Sequence, residues 1–170
     1  MADTPATVTD QLLKFARATP PAEAQAMMRL SLLDWAACGI AGAQEAEFSD
    51  FVRAGRGPGA CTLLGGGTAG PAQAALINGT LSHALDYDDT HFAHIGHPSV
   101  AVVPAVLALA QDVGAAMEDL VEAATLGVEA SILVGLWLGR DHYQVGYHQT
   151  ATAGAFGATL ATARLLGMDK

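Results

Sequence analysis

Met117-Glu-Asp-Leu-Val-Glu-Ala-Ala-Thr-Leu-Gly-Val-Glu-Ala-Ser-Ile-Leu-Val-Gly-Leu-Trp-Leu-Gly139 is the stretch whose reading decides the fold. It is long and grows more apolar along its length, so it reads as a helix central to the core. Its most apolar part, residues 125–139, is interrupted by Glu129 and is shorter than the ~18–20 residues of a membrane span. A buried core helix suits it better.

Helical spacing continues on both sides. Val8, Leu12, Phe15 and Ala16 form one face of a first helix, with Thr7 or Thr9 as its cap. Pro20-Pro21 breaks the chain and opens a second helix through Met27, Met28, Leu32, Trp35 and Ala36, ending near Gly39 or Gly42. A short amphipathic helix follows at about residues 45–54. Pro71 opens a helix through Ala75, Leu76, Leu81 and Leu85. Pro98 opens another through Val102, Val106 and Leu109, with Pro104 in or just past its first turns, where a missing donor costs least. A polar loop is expected at residues 140–146. The last helix spans about residues 149–166, and its small residues (Gly154, Gly157, Ala158 and Ala161 among them) allow close helix approach.

Only residues 55–70 read as non-helical. One short strand fits at residues 61–64, between glycine-rich turns. Gly65-Gly66-Gly67 lacks a following Gly-Lys-Ser/Thr, so it reads as a turn and not as a phosphate loop. The expected fold is all-α: one multi-helix domain over residues 1–170, with at most one short β element around Cys61 and Leu64. The chain stops directly after a helix, and that ending is read as a cut within a longer fold.

The 170 residues are 51% hydrophobic and only 15% charged, more apolar than a free-standing monomer needs. An oligomer interface or a missing partner domain would explain that. A net charge of −9 with eight Lys and Arg argues against nucleic acid or an anionic membrane as partner. Cys38 and Cys61 have no CxxC spacing and read as reduced cysteines. No secretory signal is visible in the first ten residues, so the expected compartment is cytoplasmic. Asn78-Gly-Thr80 matches a glycosylation sequon by chance.

Four of the six histidines, His83, His91, His94 and His97, fall within residues 83–99, together with Asp86, Asp88 and Asp89. Such density of titratable groups points to proton transfer or metal binding. If the helix that begins at Pro71 runs on to Thr90, then His83, Asp86 and Thr90 share one face. His97 directly precedes Pro98-Ser99 and sits at a helix N-cap, where the dipole and free N–H groups favour a bound carboxylate. The same dipole disfavours an imidazolium there, which suits His97 to the part of a base. His148 holds a matching place before the last helix. Two histidines at two helix N-termini make a site for a polycarboxylate plus proton transfer. His91, His94 and His142 read as exposed residues, and Asp88 or Asp89 is as suited to a turn cap as to chemistry. A metal reading through His91, His94 and His97 has enough donors but no standard zinc spacing.

Asn78-Gly-Thr-Leu-Ser-His83-Ala-Leu-Asp86-Tyr-Asp-Asp-Thr90, then Gly96-His97-Pro98-Ser99, resembles the MmgE/PrpD family. Gly146-Tyr-His148-Gln-Thr150 with its following Ala-rich helix, and the Leu33-Asp34-Trp35 helix, are similar too. That family includes 2-methylcitrate dehydratase, cis-aconitate decarboxylase and iminodisuccinate epimerase. The resemblance covers about residues 7–170. It implies a helical domain followed by an α/β domain that this chain lacks, a homodimer, and no metal or organic cofactor. Residue by residue it carries over Asp86, His97 and His148 as catalytic groups and Thr90 as a substrate-binding one, with Ser99 added as a second. The substrate would be a small di- or tricarboxylic acid, with chemistry at a carbon next to a carboxylate. The family's later site lysine and tyrosine have no counterpart here.

The first reading is therefore the N-terminal portion of a cofactor-independent lyase resembling 2-methylcitrate dehydratase. A decarboxylase-like or epimerase-like enzyme is the alternative within the family. Outside it stand a non-catalytic helical dimerisation module and a metal-binding protein.

Overall fold

A computed structural model describes residues 7–168; residues 1–6 and 169–170 lie outside the described part, and so does the reading of the chain's last two residues. Helix α1 (Val8–Ala16) begins at a reciprocal cap: the Thr7 hydroxyl accepts from the Asp10 N–H, and the Asp10 carboxylate accepts from the Thr7 N–H. Of the two expected caps, Thr7 is the one used. Pro21 N-caps α2 (Ala22–Gly42), and a 3₁₀ turn (Ala46–Phe48) leads into α3 (Ser49–Gly55).

The non-helical stretch is a two-residue hairpin. Strand β1 (Cys61–Thr62) pairs antiparallel with β2 (Thr68–Ala69), placing Cys61 opposite Ala69. Gly66 and Gly67 turn between them at φ 87° and 94°, a conformation that favours glycine. Arg56 closes the turn by donating to the carbonyls of Gly65 and Gly66. Asn78 pins the hairpin to the next helix: its side chain accepts from the Leu64 N–H at 2.9 Å and donates to Thr62 O at 2.8 Å. That buried amide is a structural pin, not a glycosylation acceptor.

Helices α4 (Pro71–His83), α5 (Pro98–Val113) and α6 (Met117–Gln144) follow, then a four-residue α7 (Gln149–Thr152) and α8 (Gly154–Leu165). The centre of the core is α5. Val102, Val103 and Val106 are fully buried against Val121, Ala123 and Ala124 of α6, Ala161 of α8, and Met28 and Trp35 of α2. Each such valine contributes roughly 1.5–3 kcal/mol by leaving water. A second cluster joins the hairpin to α3 and α4 through Val52, Leu63, Ile77 and Leu81. Pro104 lies inside α5, with its ring against Gly79 of α4.

Helices α6 and α8 approach as closely as their small residues allow. A β-carbon on Gly127 would stand 2.7 Å from Ala161 Cβ, and one on Gly157 would stand 2.3 Å from Gly127 O. The 28-residue α6 is long and apolar enough to cross a membrane, yet 61% of its apolar window is buried inside the chain, as in the core helix of a folded domain. The expected polar loop at residues 140–146 is corrected. Gly139, at φ 69° and ψ 179°, breaks the helix, which resumes for residues 140–144. Residues 145–148 alone remain as the link to α7.

Candidate active site

The end of α4, the loop of residues 84–97, the kink in α6 and the start of α7 enclose a cavity of about 410 Å³. Its walls include His83, Asp86, Thr90, His97, Arg140 and His148. Four of the expected site residues (Asp86, Thr90, His97 and His148) thus meet in one place, though His148 lies more than fifty residues along the chain from the other three. Ser99 does not line it.

The route by which they meet differs from the expected one. Helix α4 ends at His83, and Asp86 adopts φ 55°, so His83, Asp86 and Thr90 do not share a helical face. The loop folds back instead. His91 and Gly96 form an isolated bridge, with the His91 N–H donating to Gly96 O at 3.0 Å and the Ile95 N–H donating to His91 O at 2.8 Å. Ile95 sits at φ 57°, which for a β-branched residue costs on the order of 1–3 kcal/mol. That strain is held by the closed turn around it.

The central group is Asp88, which sequence reasoning left as a possible turn cap. Its carboxylate is buried and stands 2.9 Å from His83 Nδ1 and 3.3 Å from His97 Nδ1. The His97 Nδ1 also stands 3.2 Å from the backbone oxygen of Asp88. A carbonyl oxygen only accepts, so Nδ1 of His97 carries the hydrogen, and by the same logic Nδ1 of His83 donates to the carboxylate. This leaves Nε2 of each ring as the exchangeable atom. The His97 Nε2 stands 3.4 Å from the exposed carboxylate of Asp86, and the two imidazoles meet edge to face at 4.7 Å.

His97 and His148 do N-cap α5 and α7, as their sequence positions suggested. The Ser99 N–H at the start of α5 is already taken, however. The Ser99 N–H and hydroxyl both donate to Asp89, at 3.2 and 2.5 Å, and the His97 N–H donates to the Thr150 hydroxyl at 3.0 Å. The chain's own Asp89 occupies the place where a substrate anion was expected. Ser99, buried and bonded to Asp89, fastens the loop to α5 and does not line the cavity. The last helix does not begin at residue 149 as a unit: α7 is one turn, so it lends His148 little dipole.

His91 and His94 were read as exposed loop residues, and the structure corrects this. His94 is 0% exposed, and neither ring nitrogen has a hydrogen-bond partner among the described residues. It packs so tightly that a β-carbon on Gly135 would fall 2.1 Å from its Nδ1. Burial pushes its basicity below the ordinary histidine range, and the charges of His91 and His97 add to that. His91 is partly buried, lines the cavity, and accepts the His94 N–H through Nδ1. A metal bound through His91, His94 and His97 therefore does not fit. The set that could hold a cation is His83, Asp86, Asp88 and His97, each offering one atom, all within 4.8 Å of one another.

Sequence reasoning counted His83 in the cluster and left Asp88 open between a turn cap and chemistry, and it missed Arg140. The Asp88-Asp89 pair was a usable signal: two adjacent carboxylates face opposite ways, one to the histidines and one to Ser99. For Arg140 there was none, because its place depends on the kink at Gly139.

The profile of the MmgE/PrpD N-terminal domain matches residues 9–170. A cis-aconitate decarboxylase of Aspergillus terreus is 32% identical over 158 residues, covering 87% of this chain and 32% of the relative. A cis-aconitate decarboxylase-like protein of Aspergillus oryzae is 30% identical over 165 residues, 88% of this chain and 33% of the relative. Human cis-aconitate decarboxylase is 30% identical over 104 residues, 58% of this chain and 21% of the relative. The chain thus spans about a third of the length of the fungal relatives it matches.

Proposed function

This chain belongs to the MmgE/PrpD family, and from that premise we propose that it is the N-terminal helical portion of a lyase acting on a small di- or tricarboxylate. The observation that carries the reading is His97: it lines the cavity, Asp88 holds its Nδ1, and its Nε2 is the exchangeable atom. Chemistry at a carbon next to a carboxylate needs one such group. In dehydration a base takes the carbon-bound proton as hydroxide leaves; in decarboxylation an acid returns a proton to the carbanion that loss of CO₂ creates. Asp86 flanks Nε2 and stabilises the ring when it is charged. Thr90 and His148 offer hydrogen bonds to substrate oxygens.

The sequence alone led first to dehydration of 2-methylcitrate. The named relatives support decarboxylation of a substrate such as cis-aconitate instead. The same proposal includes a cofactor-independent reaction, a cytoplasmic enzyme and a homodimer. Support for the homodimer is the row of exposed Met27, Leu30, Leu33 and Ile40 along α2.

The test is release of CO₂ from cis-aconitate by the whole gene product, run beside dehydration of 2-methylcitrate. Turnover of cis-aconitate that is lost in His97→Gln supports the reading. Turnover retained in that variant removes His97 from the mechanism, and turnover of 2-methylcitrate alone restores the dehydratase reading. A second reading, a divalent cation held by His83, Asp86, Asp88 and His97, rests on their convergence. Stoichiometric metal in the purified protein would displace proton transfer by His97 in its favour.

A further inference from the structure

Arg140 is the cation of the cavity wall, and it makes no hydrogen bond or ion pair with the described residues. The other arginines are engaged. Arg29, Arg53 and Arg164 face carboxylates, Arg56 holds the hairpin turn, and Arg17 has a partner. An unengaged guanidinium in a chain of net charge −9 is poised for an anion from outside, and its planar fork matches a carboxylate.

The fold places Arg140 there by a specific device. The left-handed Gly139 ends the helical path of α6 and turns the next residue toward the cavity. A break of this kind frees carbonyls, and one fully buried amide takes two of them: Gln149 Nε2 donates to Gly135 O and to Gly139 O, each at 3.1 Å. Gln149 directly follows His148. A single side chain therefore fixes the kink that presents Arg140 and the turn that presents His148.

We infer that Arg140 binds the carboxylate of the substrate that lies farthest from the reacting carbon, and that Gln149 is its positioning residue. Arg140 then selects di- and tricarboxylates over monocarboxylates. The inference rests on the carboxylate reading of this cavity.

The test is calorimetric titration of propane-1,2,3-tricarboxylate and of propionate into the whole gene product at low salt. Arg140→Gln is expected to weaken the tricarboxylate roughly 10- to 100-fold and to leave propionate nearly unchanged, with Arg140→Lys intermediate. Gln149→Leu is expected to lower the same ratio of affinities, and the double variant to add little to Arg140→Gln. Because Arg140 is exposed, its variants keep the helical circular dichroism. Wild-type tricarboxylate affinity in Arg140→Gln, with binding lost in His97→Gln, would overturn the inference and leave the proposed site standing. No tricarboxylate binding by the unaltered gene product would overturn both. Equal weakening of both ligands in Gln149→Leu would assign Gln149 to the fold and not to Arg140.

Discussion

Where α6 crosses α8, a β-carbon on Gly157 would stand 2.1 Å from Ser131 Oγ and 2.3 Å from Gly127 O. In the loop of residues 84–97 the decisive contacts are hydrogen bonds, such as Asp89 to Ser99 at 2.5 Å and Asp88 to His83 at 2.9 Å. The first region is specified by the lack of side chains and the second by a pairing of donors with acceptors. Two residues of the loop, Asp86 and Ile95, accept left-handed backbone to make those pairings. The crossing tolerates no added volume. The loop depends on partners for its buried carboxylate. This difference teaches that stability and chemistry here are separable by mutation.

The largest effect should come from breaking the loop's chemistry while sparing the crossing. His97→Gln is expected to lower turnover of the whole gene product by about 10²–10⁴-fold, with the urea midpoint of unfolding nearly unchanged. A large loss of stability in that variant would show that the two regions are not separable. Next comes the reverse. Gly157→Ala is expected to cost about 1–3 kcal/mol through overpacking, because Ser131 can rotate away but the Gly127 carbonyl cannot. Unfolding in urea measures it; an unchanged midpoint would mean the helices stand farther apart.

Ser99→Ala sharpens the comparison from within the loop. It leaves a carboxylate oxygen of Asp89 without its hydroxyl, at about 1–2 kcal/mol, and loosens the segment that carries Asp86 and Asp88. Stability and ligand affinity should fall together, whereas a fall in affinity alone would return Ser99 to the set of substrate contacts.

The smallest effect concerns His94, which joins the two regions by packing against Gly135. Its basicity is depressed in the folded state, chiefly by burial and then by the charge of His91. The unfolded chain therefore takes up a proton more readily than the folded one. The stabilisation is complete above the ordinary histidine value of 6.5 and drains away as pH falls from there through the lower folded value. His94→Gln should flatten that acid limb of the unfolding midpoint. An identical pH profile in the variant would place the titration elsewhere.

Much of the crossing was legible in the chain. Helix α6 followed from its apolar length, α5 from Pro98 and its valines, and the close approach of α8 from its small residues. The loop was legible in content but not in path. Asp86, Thr90, His97 and His148 were singled out by residue type and position, yet the continuous helix meant to align three residues of the cluster does not exist. His94 was read as exposed because burial of a polar side chain depends on what folds over it, and neighbours in sequence do not report that.

The sequence by itself determined the helical architecture and the family, because periodicity, breakers and a run of matching motifs are local properties. It also determined which residue types crowd into one segment. Only the tertiary structure decided which of them act together. Asp88 became the centre because two histidines from different segments turn their Nδ1 atoms to it. Arg140 joined because a left-handed glycine and a buried glutamine bend a helix that would otherwise carry it past the cavity. Both outcomes depend on contacts between different elements, five to fourteen residues apart in the chain, and no helical or strand periodicity announces a contact of that kind.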